Sequence, residues 1–333
     1  MKKLKSVVQC LLTDLIFWLY FWGCLAYLIH NWTGSSVSYF IISGLAVLSM
    51  IIFGISGLSL GRKLFQPTKF TSKKWSKSFW FWSLMAILFI TFVVGWNVVE
   101  VNLYKLFTKF QNAGGILKGI FNPNFNILSQ CLTALAETIF LALLATVLAI
   151  PFAFVLSFFA ARNLMPKTFL GNTIYVLIRT IATIFRSIEA IVWAIIFSVW
   201  VGIGPFAGML ALMVHSVAAL TKLYSEQIEN IDTGQLEAIK ATGAKRLQIW
   251  IFAVIPQIIS PYLAFTIYRW DINVRMATIV GFVGGGGIGL LLLQQQQLLR
   301  WQNVGIIIWL IALVVWVMDM VSAKVREKLT EKQ

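Results

Sequence analysis

The sequence predicts an all-α polytopic membrane protein. Of its 333 residues 59% are hydrophobic and only 12% are charged, whereas a soluble domain carries about 25% charged residues. Mean hydropathy is +0.84. Apolar stretches that can cross ~30 Å of hydrocarbon lie at about 11–29, 37–60, 79–99, 131–161, 180–201, 206–221, 249–268, 276–293 and 304–323. Each is expected to be helical, because lipid offers no partner for loose backbone groups.

The elements follow in order. The opening "MKKLKSVVQCLLTDL" imitates a secretory signal, but Asp14 interrupts the apolar region and no small-x-small site follows. "YFWGC" is too bulky before Cys24 for a lipoprotein site, so an uncleaved first span is expected. Arg62, Lys63, Lys69, Lys73, Lys74 and Lys77 follow the second span. After the third, residues 100–126 interleave Leu, Phe and Lys (Lys105, Lys109, Lys118) and read as an amphipathic helix along the outer interface. Glu137 lies one to two turns into the fourth span, where pairing with an arginine is expected.

Around the start of the fifth span Arg179, Arg186 and Glu189 fall within about 80° of one another at about 100° per residue. Two readings stand: an Arg186–Glu189 pair at i,i+3, or an anion-handling surface aided by an unpaired Arg179. His215 within the sixth span reads as a lone, hydrogen-bonded histidine, and His30 lies at the end of the first. Arg269, Asp271 and Arg275 cluster where the seventh span is expected to emerge outside. They serve either as interfacial anchors or as contacts for an external protein and a departing oxyanion, which arginine binds bidentately.

Lys and Arg collect on one side when the spans alternate. Lys2, Lys3 and Lys5, the loop after the second span, Arg162 and Lys167, Lys222 to Arg246, and Lys324 to Lys332 together hold 19 of the 27 basic residues. That side is the cytoplasm by the inside-positive rule, and the net charge of +15 then reflects topology and the anionic inner leaflet, with no need for nucleic acid. Nine crossings would put the basic tail outside. The stretch 276–293 contains Gly281, Gly284, Gly285, Gly286, Gly287 and Gly289, and glycine costs about 1 kcal/mol per residue in a helix. It is therefore expected to be a non-crossing hinge on the outer side, leaving eight crossings with both termini cytoplasmic.

Several chemistries are excluded. Gly284, Gly286 and Gly289 match G-x-G-x-x-G formally, but the flanks are membrane-like and the next acid is Asp319. No G-x-x-x-x-G-K-[ST] occurs, so any ATP is bound by another chain. Cys10, Cys24 and Cys131 have no metal-ligand spacing, and neither histidine has a nucleophile or metal partner nearby in sequence. No catalytic or metal site is expected.

The remaining oddity is "EAIKATGAKRLQIWIFAVIP", Glu237–Pro256, a polar helix and turn between apolar spans. Leu236, Ala238 and Ile239 share an apolar face, with Glu237 and Lys240 at i,i+3 beside it, and Gly243 suits a left-handed cap. The spacing resembles the signature of ABC importer permeases: an E-A-A triplet, Gly six residues after the Glu and Pro thirteen after the Gly. Glu237, Ala238, Gly243 and Pro256 match; Ile239, Ala253 and Ile255 depart with apolar replacements. "VGIGPFAG", "YRWDINVR" (Tyr268–Arg275) and "GFVGGGGIG" occur in the order seen in permeases of phosphonate ABC transporters, and the resemblance covers roughly 127–323.

That resemblance implies a type I importer fold, in which the break is a cytoplasmic coupling helix docked on a separate ATPase that holds ATP and Mg, with no cofactor in this chain. It implies a second permease subunit, identical or not, two ATP-binding subunits, an extracytoplasmic solute-binding protein and a phosphonate-like anion. Arg186, Glu189, Arg269, Asp271, Arg275, Gly284 and Gly286 would line the path or gate. The organisation expected is a two-span extension with its basic loop over 1–78, a third span and external segment over 79–126, the permease domain over 127–325 and a cytoplasmic tail over 326–333. The alternative is an ion-gradient-driven secondary transporter of a small anion, whose mark would be two inverted halves with matching broken helices; only one glycine-rich break is present.

Overall fold

A computed structural model describes residues 2–34, 36–56, 59–61, 79–166 and 168–330. The basic loop from Arg62 to Lys77, Lys167 and the last residues of the tail lie outside the described residues. The described chain is helical throughout, without a strand, and forms two compact units, 1–109 and 110–333.

The first unit contains α1 (Lys2–Thr33), α2 (Tyr39–Ile55), α3 (Phe79–Val98) and the short α4 (Leu103–Thr108). Polar side chains placed sparsely along α1 hold it to its neighbours. Asp14 is buried and accepts from Ser59 Oγ and from the Gly61 N–H at 2.9 Å, which ties the segment after α2 back to the start of α1. Gly61 is needed there, because a Cβ would run into the Cys10 backbone. Trp22 Nε1 donates to Ser49 Oγ on α2 (3.0 Å), and Tyr20 and Asn31 bond Thr91 and Asn97 on α3.

The second unit begins with α5 (Phe110–Phe121). A 3-10 turn (Phe125–Ile127) leads into α6 (Leu128–Phe159), α7 (Phe169–Ser187) and α8 (Ala190–Val201). Then come α9 (Pro205–Glu229), α10 (Thr233–Ala241) and α11 (Arg246–Ile249), followed by a π-helical turn (Trp250–Val254), α12 (Ile255–Gly281), α13 (Gly287–Gln297) and α14 (Trp301–Thr330). Small residues let α6 and α9 meet closely: Ala142 and Ala145 cluster with Ala207, Ala211 and Leu212, and Ala149 and Ala153 cluster with Leu220 and Tyr224, all buried. Without a hydrophobic drive between helices in lipid, close packing of small side chains supplies the attraction. The segment 100–126, expected to be amphipathic, comprises α4 and α5, and α5 packs on the start of α14. Gly119 and Gly305 have no room for a Cβ there, and Trp309 Nε1 donates to the Ile120 carbonyl at 3.0 Å.

Among the described residues, six helices are long and apolar enough to cross a membrane; the pair α7–α8, bent by 89°, makes a seventh if it is one span, and α2 is a shorter apolar helix of 17 residues. The protein is therefore multi-pass. The glycine-rich stretch is not a span. It comprises the end of α12, a turn at 282–286 and the 11-residue α13, whose ~16 Å length at 1.5 Å per residue is too short to cross.

Gly284, Gly286 and Gly287 adopt φ of +92°, +78° and +68°, the region that only glycine enters freely. The turn packs on the start of α9, where a Cβ on Gly208 would lie 2.6 Å from the Gly285 carbonyl oxygen. Substituting Gly208→Val should thus destabilise the bundle by about 1–3 kcal/mol through overpacking, read as a lower unfolding temperature of the purified protein.

Candidate functional site

The polar break folds as expected from its residues. Asp232 caps α10 by accepting from the Gly234 N–H (2.9 Å), and the helix stops at Thr242. Gly243 turns the chain with φ +77° and nothing within 4 Å of a Cβ position, so backbone conformation, not crowding, demands the glycine. Leu236 is buried among Tyr224, Ile228, Val254 and Ile258, with Ile239 packed beside it. Glu237, Ala238 and Lys240 point outward and exposed, and Glu237 makes no ion pair among the described residues. Pro256 does not close the segment. It sits at the start of α12 directly after the π-helical turn; lacking an N–H, and with a ring that would clash with the preceding turn, a proline is accommodated where the helix widens.

This segment is tied to the neighbouring loop and to α7 by a small polar network. Glu229 Oε1 accepts from the Arg162 N–H (2.9 Å) and from Arg179 Nη1 (2.7 Å). Arg179 Nη1 also donates to Tyr175 Oη (2.8 Å). Asn163 Nδ2 donates to the Ile228 carbonyl, Arg246 Nη2 to the Leu164 carbonyl, and the Asp232 N–H to Gln257 Oε1. Arg179 is therefore paired, against the alternative reading of an anion-handling surface aided by an unpaired Arg179. Its partner is 50 residues away, beyond the reach of helical spacing rules.

The expected Arg186–Glu189 pair is not formed among the described residues. Arg186 lies in the last turn of α7, Ile188 is extended and Glu189 precedes α8 across the 89° bend. No proline or glycine marks this break; His215 Nδ1 lies 3.0 Å from the Ile188 carbonyl oxygen that the bend frees. Glu137 pairs with no arginine among the described residues. Its Oε1 accepts from the Gly287 N–H (3.2 Å), while Thr138 Oγ1 accepts from the Ile288 N–H (2.8 Å). A carboxylate and a hydroxyl from α6 thus cap α13, satisfying donors that have no intrahelical acceptor and opposing the positive end of the helix dipole.

Arg269, Asp271 and Arg275 were expected where a span ends. The structure instead carries α12 through all three to Gly281. The apolar pattern stops at Tyr268, but the helix does not: each of these side chains reaches a partner on α12 itself or on a neighbouring helix. Arg275 Nη2 binds Asp271 Oδ2 (2.6 Å) and Asp319 Oδ1 on α14 (3.2 Å). Arg269 Nε donates to Ser216 Oγ on α9 (3.0 Å). Asn273 Nδ2 donates to Ser216 Oγ and to Thr146 Oγ1 on α6, both 2.8 Å. Gly286 lies between Pro205 and Glu137, with no space for a side chain, and Gly284 lies against Ile203. Asn273 lies within the Tyr268–Arg275 motif, but like Ser216 and Thr146 it carries no charge, and none of the three stood out as a site residue in the sequence.

Residues 149–327 match the family of binding-protein-dependent transport system inner membrane components. Among curated relatives, a putative phosphite transport system permease protein, HtxC, of Stutzerimonas stutzeri is 33% identical over 233 residues, 70% of this chain and 81% of that protein. The phosphite transport system permease protein PtxC of the same organism is 31% identical over 244 residues, covering 73% and 87%. Among solved structures, a crystal structure of an amino acid ABC transporter with histidines superposes with a TM-score of 0.51 at 17% identity, over 63% of this chain and 99% of that one; this likeness concerns the fold alone. The chain belongs to the family of binding-protein-dependent transport system inner membrane components.

The Glu229 network makes a testable structural statement. Substituting Glu229→Ala leaves Arg179 and the Arg162 N–H without their acceptor. The pair is about a quarter to a third exposed, so the loss should be modest, about 1 kcal/mol. It should appear as faster amide exchange across 162–179 with the rest of the bundle unchanged.

Proposed function

We propose that this member of the family is the membrane-spanning permease of an ATP-driven importer and carries a phosphonate or a related phosphorus oxyanion, phosphite included, across the cytoplasmic membrane. The oxyanion is supported by the two phosphite permeases, which this chain matches over more than four-fifths of their length. The coupling role is supported by one observation above the rest: α10 is anchored by Leu236 and Ile239 yet leaves Glu237 and Ala238 exposed, beside a glycine turn that nothing crowds. That surface suits a groove on a cytoplasmic ATP-binding subunit.

In this reading two permeases, identical or not, sit on two ATPases, which hold ATP and Mg; this chain binds no nucleotide. An extracytoplasmic solute-binding protein delivers the anion. Eight crossings with both termini cytoplasmic place the basic clusters on the side of the anionic leaflet. When the ATPases close, α10 moves. The movement passes through Glu229 to Arg179 and α7, and through the turn at 250–254 to α12. Arg186, Glu189, Arg269, Asp271 and Arg275 line the path, and the turn at Gly284 and Gly286 forms part of the outer gate. An ion-gradient-driven carrier is not favoured, given the family to which the chain belongs.

Two substitutions test the coupling. Gly243→Trp forces a bulky side chain into a left-handed conformation, a strain of roughly 1–2 kcal/mol, and fills the space a partner would occupy. Glu237→Lys reverses the exposed charge. Each should abolish uptake of phosphite or methylphosphonate by the complete importer in proteoliposomes and uncouple ATP hydrolysis from it, while the chain still inserts; normal uptake in both would refute the docking assignment. Arg275→Ala should lower uptake several-fold without altering assembly with the ATPase, as judged by co-purification.

A further inference from the structure

The guanidinium of Arg269 is an anomaly within the bundle. The residue is only 6% exposed, and no carboxylate lies within ion-pair distance of it among the described residues. Its Nε is held by Ser216 Oγ, while Nη2 is buried and has no hydrogen-bond partner. An ionised group taken out of water without a counter-charge is expensive, and in a membrane span it marks a functional position by default. Arg275 and Arg179, whose side chains are 42% and 31% exposed, are each given a carboxylate partner, Asp271 with Asp319 and Glu229, whereas the far more buried Arg269 is not.

The surroundings favour an anion. Ser216 and Asn273 are fully buried and interlocked, and Asn273 is tied to Thr146 on α6, so three helices fix the position of the Nε end. His215, next to Ser216, lies within electrostatic reach of Arg269 and Arg186. Among the described residues Glu189 is the one carboxylate with an electrostatic influence on Arg269, and it is exposed at the α7–α8 bend. That bend touches the same neighbourhood through the contact between Ile188 and His215. A fork-shaped donor with one arm fixed and the other unclaimed matches a tetrahedral oxyanion, whose oxygens accept in pairs.

We propose that Arg269 is the anchor of an oxyanion-binding site inside the permease itself, shut in this conformation, and that the transported phosphorus oxyanion occupies it during passage, with Nη2 as its principal donor. The identity of the occupant rests on the proposed function. The site adds selection by the membrane subunit to whatever selection the binding protein makes.

The test uses the full permease–ATPase complex in phosphatidylcholine nanodiscs, without binding protein, and follows phosphite and methylphosphonate by phosphorus NMR line broadening with and without ATP. Saturable binding is expected in wild type in at least one nucleotide state. Arg269→Met removes the unpaired charge at similar volume. It should melt no lower than wild type, because a buried charge without a partner does not stabilise, yet bind both probes at least tenfold more weakly and, in proteoliposomes of the complete importer with its binding protein, lose uptake to the same degree. Arg269→Lys keeps the charge but not the fork and should fall between them. It decides the matter if the Met variant does not assemble. Wild-type binding or uptake in the Lys variant and in any assembled Met variant overturns the proposal, as does absence of saturable binding in every state of the wild-type complex. If the complete wild-type importer transports neither probe, the proposed function fails; if it transports them while Arg269 proves dispensable, only the internal site fails.

Discussion

A polar group in hydrocarbon must find its partner within the protein, and most of the second unit is arranged around that constraint. The break between α12 and α13 exposes a helix end at the depth of α6, and Glu137 and Thr138 satisfy it. The bend between α7 and α8 frees the Ile188 carbonyl, and the His215 ring lies against it. Asn273 draws α6, α9 and α12 together through Ser216 and Thr146. Irregular backbone is tolerated at each of these places because a side chain from another helix stands ready, and those places coincide with the proposed path.

Much of this was legible beforehand, for physical reasons. Apolar length located the helices, because the thickness of the bilayer sets it. Six glycines within 276–293 ruled out a straight helix, and three of them take left-handed conformations that other residues avoid. The motif around Glu237 located α10 and its turn, since capping by Asp232 and the demand for glycine at 243 are local matters. Longer-range facts stayed hidden. The bend at Ile188 has no breaker in its sequence and depends on a histidine 27 residues away. The partners of Arg179 and Glu137 lie 50 and 150 residues away, where helical periodicity says nothing. The charges after Tyr268 read as the end of a span because hydropathy counts a charge as exposed, although Asp271 is almost wholly buried beside Arg275.

The family match begins at residue 149, and the first unit, 1–109, lies before it. That unit has its own internal logic. A buried aspartate and a handful of amide and hydroxyl contacts spaced along α1 select its neighbours. Interhelical hydrogen bonds of this kind are worth on the order of 1 kcal/mol each in a membrane, so several are needed to specify one arrangement of otherwise greasy helices. No function is assigned to it.

The widened turn at Trp250–Val254 has a consequence for the other end of its helix. A π-type turn holds one residue more than an α-turn, which rotates everything downstream by about 100°. The azimuth at which Arg269 and Asn273 meet α9 and α6 is therefore set some twenty residues earlier, beneath Pro256. A sequence that shed the surplus residue would keep its hydropathy profile and every motif, yet would turn the guanidinium toward a different neighbour. Phase, as much as composition, is inherited at this position.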